Sequence, residues 1–409
     1  MRSLNQTMPP DGETQSQKKS AIPPLVRWLG LVSFCTDAAS EMIYPLLPAL
    51  LKSFGAASIW LGAMEGIAEA ISAGVKWKMG RATDQASRKK PLVFAGYALA
   101  TFARPLVALA DAGWHVVLLR ALDRTGKGLR GVPRDALLAE SVDEKNYATA
   151  FAFHRAMDNA GSVLGPILAF VLLRGLELPV RTVIALAVFP GIVSLLVLAF
   201  GVKEPTKSET PPKEEKKEEQ SASAAPLPDP VRRYLIVVGV FTLGSSADSF
   251  LLLRAVDLGM PDAWVPLLWL ALSASKALSN VPGGRIADRF GRTRTLVAAW
   301  ILYAAMYGAL GFVTSPLVFA ILVVLYGAYY GLSEGTERAI LAERAPKQIR
   351  GRAFAALHAV TGIAVLPANL LFGALYRVKP VLAFGTSATC AVVAALLAMS
   401  FARANSTRS

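Results

Sequence analysis

Asp37 and Glu41 stand four residues apart, as do Glu65 and Glu69, so each pair shares one face of its segment if that segment is helical. Farther on, RALDRTGKGLRGVPRD, residues 120–135, packs Arg120, Asp123, Arg124, Lys127, Arg130, Arg134 and Asp135 into sixteen residues. Carboxylates whose proton affinity follows their surroundings, set against guanidinium and ammonium groups, can exchange protons or hold a charged solute. Nucleotide chemistry finds no support. A phosphate-binding loop needs Gly five residues before its Gly-Lys pair and Ser or Thr after it, and this chain has Ala121 and Gly128 there. Cys35 and Cys390 have no spacing that suggests a metal site or a redox pair.

These charges sit in apolar surroundings. The chain has 409 residues, 54% of them hydrophobic, and a mean hydropathy of +0.44, the composition of a polytopic membrane protein. Crossing a bilayer takes roughly 20 helical residues. Segments of that length are expected at 25–51, 58–79, 91–111, 114–138, 146–173, 180–202, 232–256, 263–284, 293–314, 316–341, 351–376 and 380–403. Residues 1–24 lack the apolar stretch of a cleavable signal and read as a cytoplasmic tail, with 404–409 as a second one. The net charge of +14 does not call for nucleic acid as a partner. Arg81, Arg88, Lys89 and Lys90, then Arg285, Arg289, Arg292 and Arg294, then Arg344, Lys347, Arg350 and Arg352 fall in connections on one side of the twelve spans, and the positive-inside rule makes that side cytoplasmic along with both termini.

Residues 203–230, rich in Lys, Glu, Pro and Ser, read as a flexible linker that divides the chain into six-helix bundles at 25–202 and 231–403. The halves repeat. GRATDQASRKK at 80–90 matches GRIADRFGRTR at 284–294 with an offset of 204, GLRGVPRDALLAE at 128–140 matches GLSEGTERAILAE at 331–343 with an offset of 203, and His154 and His358 stand 204 apart.

Twelve spans, a charged central linker and the turn formed by Gly284, Asp288, Arg289, Gly291 and Arg292 resemble the major facilitator superfamily over residues 25–403. The first-half copy keeps Gly80, Asp84 and Arg88 but has Gln85 and Ser87 where the family pattern has Arg and Gly. The resemblance implies an all-α membrane fold of twelve transmembrane helices in two pseudo-symmetric six-helix bundles, with these turns acting in a cytoplasmic gate. It also implies that Arg120 occupies the place of a helix-4 arginine, and that Gly161, Gly165 and Pro166 form the core of a motif found in antiporters. Ala169 and Phe170 replace that motif's terminal glycines, and a small-residue helix contact with a proline kink has the same letters.

At 100° per residue the charges of 120–135 fall within an arc of roughly 140°. Centred in lipid, each basic residue would cost about 2.5 to 3.5 kcal/mol, so this face must meet water or acidic partners. Arg104, Arg120, Asp123, Arg124, Lys127 and Asp158 are the expected lining of a substrate cavity, with Lys276 as a second-half group awaiting a solute anion or a first-half carboxylate. Asp37, Glu41, Glu69, Asp248 and His154 are candidates for proton coupling. Glu334 and Arg338 either lock a gate or form a local pair. These readings point to a non-enzymatic secondary transporter, a monomer in the plasma (inner) membrane, that needs no cofactor and uses the proton gradient to export a small amphipathic or drug-like solute. Two alternatives stay open: a proton-coupled carrier of an anionic metabolite, and a non-transporting sensor or scaffold on a transporter fold.

Overall fold

The computed structural model describes residues 22–143, 146–204, 227–346 and 349–406. Residues 1–21 of the expected tail at 1–24, 407–409 of that at 404–409, 205–226 of the expected linker at 203–230, and Lys347 of the basic connection at 342–352 lie outside the described residues. Twelve helical rods run alternately up and down. In the first half, α1 covers Pro24–Ile43, passes through a 3-10 turn at Tyr44–Leu46 and continues over Leu47–Lys52, α2 is Ala57–Gln85, α3 is Lys90–Leu106 and α4 is Gly113–Glu140. It is completed by α5 at Tyr147–Phe170 and α6 over Val180–Leu186, Val188–Leu196 and Val197–Gly201. In the second half, α7 covers Asp229–Gly244 and Ser249–Asp257, α8 is Val265–Phe290, α9 is Arg292–Phe312, α10 is Pro316–Arg344, α11 is Arg350–Val378 and α12 is Pro380–Ser406. The start of α1 and the end of α12 lie at the same end of the bundle, called here the terminal end; Lys52, Gly113, Asp257 and Val378 mark the far end.

Eight of these rods are long and apolar enough to cross a membrane by themselves. The other four, α1, α2, α4 and α8, hold Asp37 and Glu41, Glu65 and Glu69, the 120–135 charges, and Lys276. Polar groups at membrane depth survive by facing the bundle interior and one another, and these are the helices that meet at its centre. The repeat governs the packing: α1 with α5, α2 with α4, α3 with α4 and α3 with α6 are echoed by α7 with α11, α8 with α10, α9 with α10 and α9 with α12.

Helices α1 and α7 both break at the same depth. Pro45 has no N–H to continue the α1 ladder, which tightens into the 3-10 turn. In α7 the backbone is non-helical from Ser245 to Ala247. Tyr44 and Asp248 are 204 residues apart, the repeat offset, so the two breaks are equivalent. Between α8 and α9, Gly291 has φ +93°, which glycine adopts without strain.

Gly161 and Gly165 seat α5 directly on the α1 backbone. A Cβ on Gly161 would strike the Phe34 carbonyl oxygen, and one on Gly165 would lie 2.6 Å from the Ala38 carbonyl oxygen and 2.8 Å from the Met42 nitrogen. The motif therefore has the geometry of a close helix contact. Because backbone cannot move aside as a flexible side chain can, Gly165→Leu is expected to cost about 3 kcal/mol or more and to reduce the folded peak in size-exclusion chromatography sharply.

The contacts that join the halves lie toward the far end. On α2 and α11, Gly62 abuts the Asn369 backbone, Gly66 abuts Leu366 and Gly373 abuts Ser58. Phe170 of α5 meets Trp264 at the start of α8 with ring centroids 5.6 Å apart. Lys52 reaches Asp257 at 2.8 Å and the Val256 carbonyl at 3.2 Å. Toward the terminal end, Gly74 and Gly80 of α2, Gly284 of α8 and Gly335 of α10 face open space, and Glu69, Lys127 and Arg155 are exposed. The bundle is closed at the far end and parted at the terminal end.

Candidate functional site

A chain of polar and aromatic groups crosses from one half to the other at the level of the two helix breaks. It begins at Asp123 of α4, which accepts from Arg104 Nε of α3 at 2.8 Å and from Arg120 Nη1 at 3.0 Å. Arg104 Nη1 also donates to the Thr36 carbonyl of α1 at 3.0 Å. The triad is buried, with Asp123 only 3% exposed, and it pins α1, α3 and α4 together. Two guanidinium groups share one carboxylate, so the triad carries a net positive charge.

Arg120 lies 5.2 Å from the centroid of the Tyr44 ring, a cation–π contact. The Tyr44 hydroxyl donates to Glu65 of α2 at 2.9 Å, and its ring meets that of Trp269 on α8 at 4.9 Å. Trp269 Nε1 donates to Glu41 of α1 at 2.7 Å, a charge-assisted bond that joins the halves at mid-depth. Beyond Trp269 the chain reaches Lys276, whose ammonium stands 5.6 Å from the Trp269 ring and 3.9 Å from the Tyr330 ring of α10. Lys276 forms an ion pair with Asp248, which also accepts from Tyr330 at 3.1 Å and Tyr326 at 3.3 Å. Asn369 of α11 braces the α7 break by accepting from the Ala247 N–H at 2.8 Å. A recess of about 200 Å3 lined by Glu65, Glu69, Ser246, Ala247 and Asn369 lies beside this chain, between α2, α7 and α11.

The placement corrects several expectations. Arg104 and Asp123 do not line an open cavity; the space beside them and Arg120 is about 10 Å3, too small for a solute, because the carboxylate draws both arginines inward. Lys276 does not wait for a first-half carboxylate, since the break in α7 turns Asp248 toward it. Of the two readings left open for Glu334 and Arg338, the structure shows the local pair, exposed and at 3.0 Å. His154 is buried beside Asp158 at 3.5 Å, whereas its repeat partner His358 is exposed.

Other expected residues do flank the terminal-end opening. Arg124 approaches Glu69 at 3.7 Å. Lys127 is exposed and Asp37 half-buried, and neither forms an ion pair within 4 Å among the described residues. Arg130 stacks on the Tyr97 ring at 4.2 Å, and Arg134 pairs with Asp135 at 2.9 Å. The glycine-turn motifs hold their own halves: Arg292 lies 3.8 Å from Asp288 and 3.6 Å from Glu343, and in the first half Lys89, next to Arg88, pairs with Glu140 at 2.5 Å. Asp84 is exposed.

Tyr44, Trp269, Tyr326, Tyr330 and Asn369 escaped the sequence reading, which weighed charges before aromatics. A signal was present: Trp269 and Lys276 stand seven apart, Tyr326 and Tyr330 four apart, so each pair shares a helix face at mid-span, away from the interfacial belts where membrane aromatics concentrate.

Two pseudo-symmetric six-helix bundles that enclose a polar centre, closed at one end and open at the other, have the architecture of a membrane carrier. The family model of the Major Facilitator Superfamily matches residues 29–274 and 235–409, and the chain belongs to that superfamily. Among its relatives is an uncharacterized MFS-type transporter of Methanocaldococcus jannaschii, 29% identical over 375 residues that cover 90% of this chain and 92% of the relative. Another is the multidrug resistance protein MdtG of Dickeya zeae, 27% identical over 80% of this chain and 81% of the relative. Among solved structures, a point mutant of the nucleoside transporter NupG matches with a TM-score of 0.73 at 14% identity, covering 92% of this chain and 99% of that one. The inward-facing, unoccupied bacterial homologue of the human lysosomal transporter Spinster matches with a TM-score of 0.70, also at 14% identity, over 92% and 94%. These likenesses establish the fold. The protein is a multi-pass membrane transporter.

Proposed function

We propose that the protein is a proton-coupled antiporter that exports a small amphipathic organic compound by alternating access, as a monomer in the plasma (inner) membrane with both termini cytoplasmic. The observation that carries this reading is the hydrogen bond from Trp269 to Glu41 at the junction of the halves, with the Tyr44 ring packed against Trp269. Aromatic faces beside a carboxylate suit a solute with an apolar body and a cationic group, and a carboxylate able to hold either that cation or a proton couples the two. Asp37, without an ion pair on the open side, is the first proton acceptor, and Glu69 and Asp248 extend the set. The multidrug resistance relatives support export of drug-like compounds. The proton gradient supplies the energy and no cofactor takes part.

A second reading, a carrier of an anionic metabolite, draws on Lys127 and Arg130, which have no carboxylate within 4 Å among the described residues. Substrate-induced proton movement in everted membrane vesicles, followed with a pH-reporting dye, separates the two. Cationic amphipathic compounds are expected to release protons from the lumen of vesicles with the native protein, and the Asp37→Asn variant to lose at least nine-tenths of that signal. A response restricted to anionic metabolites would overturn the export reading.

A further inference from the structure

Two recesses at the terminal end lie apart from the central site, away from the far-end contacts that join the halves. The first, about 940 Å3, is bounded by α3 and α6 and lined by Ser87, Arg88, Lys90, Phe94, Phe200 and Lys203. The second, about 1090 Å3, is bounded by the α8–α9 turn and α12 and lined by Arg289, Phe290, Arg292, Arg294, Glu343 and Met399. The repeat offset of 204 carries Arg88 onto Arg292 and Lys90 onto Arg294, so the recesses occupy equivalent places in the two halves, although the free cations and exposed phenylalanines of one are not the repeat counterparts of the other's.

Each recess holds two cations that the protein leaves uncompensated. In the first, Glu204 is occupied by the Lys89 and Lys90 backbone N–H groups at 2.5 and 3.3 Å, and Lys90 Nζ donates to the Ala199 carbonyl at 2.8 Å. Arg88 and Lys203 are exposed and have no carboxylate within 4 Å among the described residues. In the second, Arg292 sits between Asp288 and Glu343 at 3.8 and 3.6 Å. Arg289, over the Phe290 ring at 5.4 Å, and exposed Arg294 have no carboxylate within 4 Å among the described residues. Beside the cations stand large aromatic rings turned outward: Phe200 is 80% exposed and Phe290 58%. Cations at helix ends with aromatic rings directed into the apolar layer match the boundary between lipid headgroups and acyl chains.

We propose that these recesses are twin binding sites for the headgroups of anionic phospholipids, one on each half. In each, the two free cations hold the phosphodiester and the exposed phenylalanines contact the upper acyl chains. The linker sequence EEKKEE at 214–219 sets two lysines among four glutamates and occurs once in the chain, whereas a recess occurs in each half. A lipid explains both recesses.

Native mass spectrometry of the full chain, exchanged into mixed phosphatidylglycerol and phosphatidylcholine, tests this. The native protein is expected to retain two phosphatidylglycerol molecules and no phosphatidylcholine. One should remain in Arg88→Ala/Lys203→Ala, one in Arg289→Ala/Arg294→Ala and none in the fourfold variant, with unchanged elution in size-exclusion chromatography. The charge-preserving Arg88→Lys/Lys203→Arg variant should still retain two. Two lipids on the fourfold variant, equal retention of phosphatidylcholine, or retention that appears only after deletion of residues 205–226 would overturn the proposal, the last by assigning the first recess to the linker.

Discussion

Asp123→Asn is expected to unfold much of the protein. The substitution keeps the shape of the side chain and removes the one negative charge that Arg104 and Arg120 share. Removing one partner of a buried ion pair costs about 3 to 5 kcal/mol, against a total stability of roughly 5 to 15 kcal/mol for a folded domain. Here two buried guanidinium groups lose their partner, so the effect belongs at the upper end. The check is thermal unfolding in detergent, followed by intrinsic fluorescence, together with the yield of monodisperse protein. A melting temperature within a few degrees of the native value would mean that water reaches the triad and that the arginines are not held by Asp123. Replacing Arg104 as well as Asp123 by apolar residues should recover part of the loss, because the uncompensated charge rather than the missing contact is the larger penalty.

Trp269→Phe is expected to slow transport by ten- to a hundredfold while leaving folding nearly intact. Phenylalanine keeps an aromatic ring against Tyr44 but cannot donate to Glu41. A hydrogen bond to a charged group contributes about 1.5 to 3 kcal/mol. This one exists between halves, so its loss falls on the balance between the closed and open arrangements of the far end rather than on the stability of either bundle. Glu41→Gln should act in the same direction, since a neutral amide accepts the indole N–H more weakly. Initial rates of solute uptake by everted vesicles measure the effect. A variant with native rates would remove Trp269 from the transport cycle and leave it as packing.

Much of the fold was legible in the sequence. Each of the twelve expected spans overlaps one observed rod, because apolar runs between charged turns report membrane crossings directly. Pro45 announced the break in α1. The break in α7 was harder to see: LGSSADS has no proline, and its non-helical backbone is stabilised by Asn369 of α11, a contact that local pattern cannot reveal. The charges of 120–135 were read rightly as one face, yet the face is divided. Its far part, Arg120 and Asp123, is buried by Arg104 from α3, while Arg124 and Lys127 look toward the opening. Helix periodicity places residues on a face but does not say which neighbouring helix covers it. The same limit explains Lys276, which had no partner within reach along its own helix and found one across the bundle. The aromatic half of the site was missed because tyrosine and tryptophan at mid-span resemble ordinary core until their hydroxyl and indole groups are seen to point at carboxylates.

In the proposed transport cycle the two halves rock about their junction, so that one site is open first at the terminal end and then at the far end. Pulsed dipolar spectroscopy between spin labels at residues 80 and 284, the equivalent open positions on α2 and α8, measures that motion directly once Cys35 and Cys390 are replaced by Ser. The predicted result is a long separation that gains a distinctly shorter population when an exported compound is added or the pH is changed, with Trp269→Phe shifting the balance toward the shorter one. A single separation, unchanged by solute, pH and the Trp269 substitution, would contradict the account.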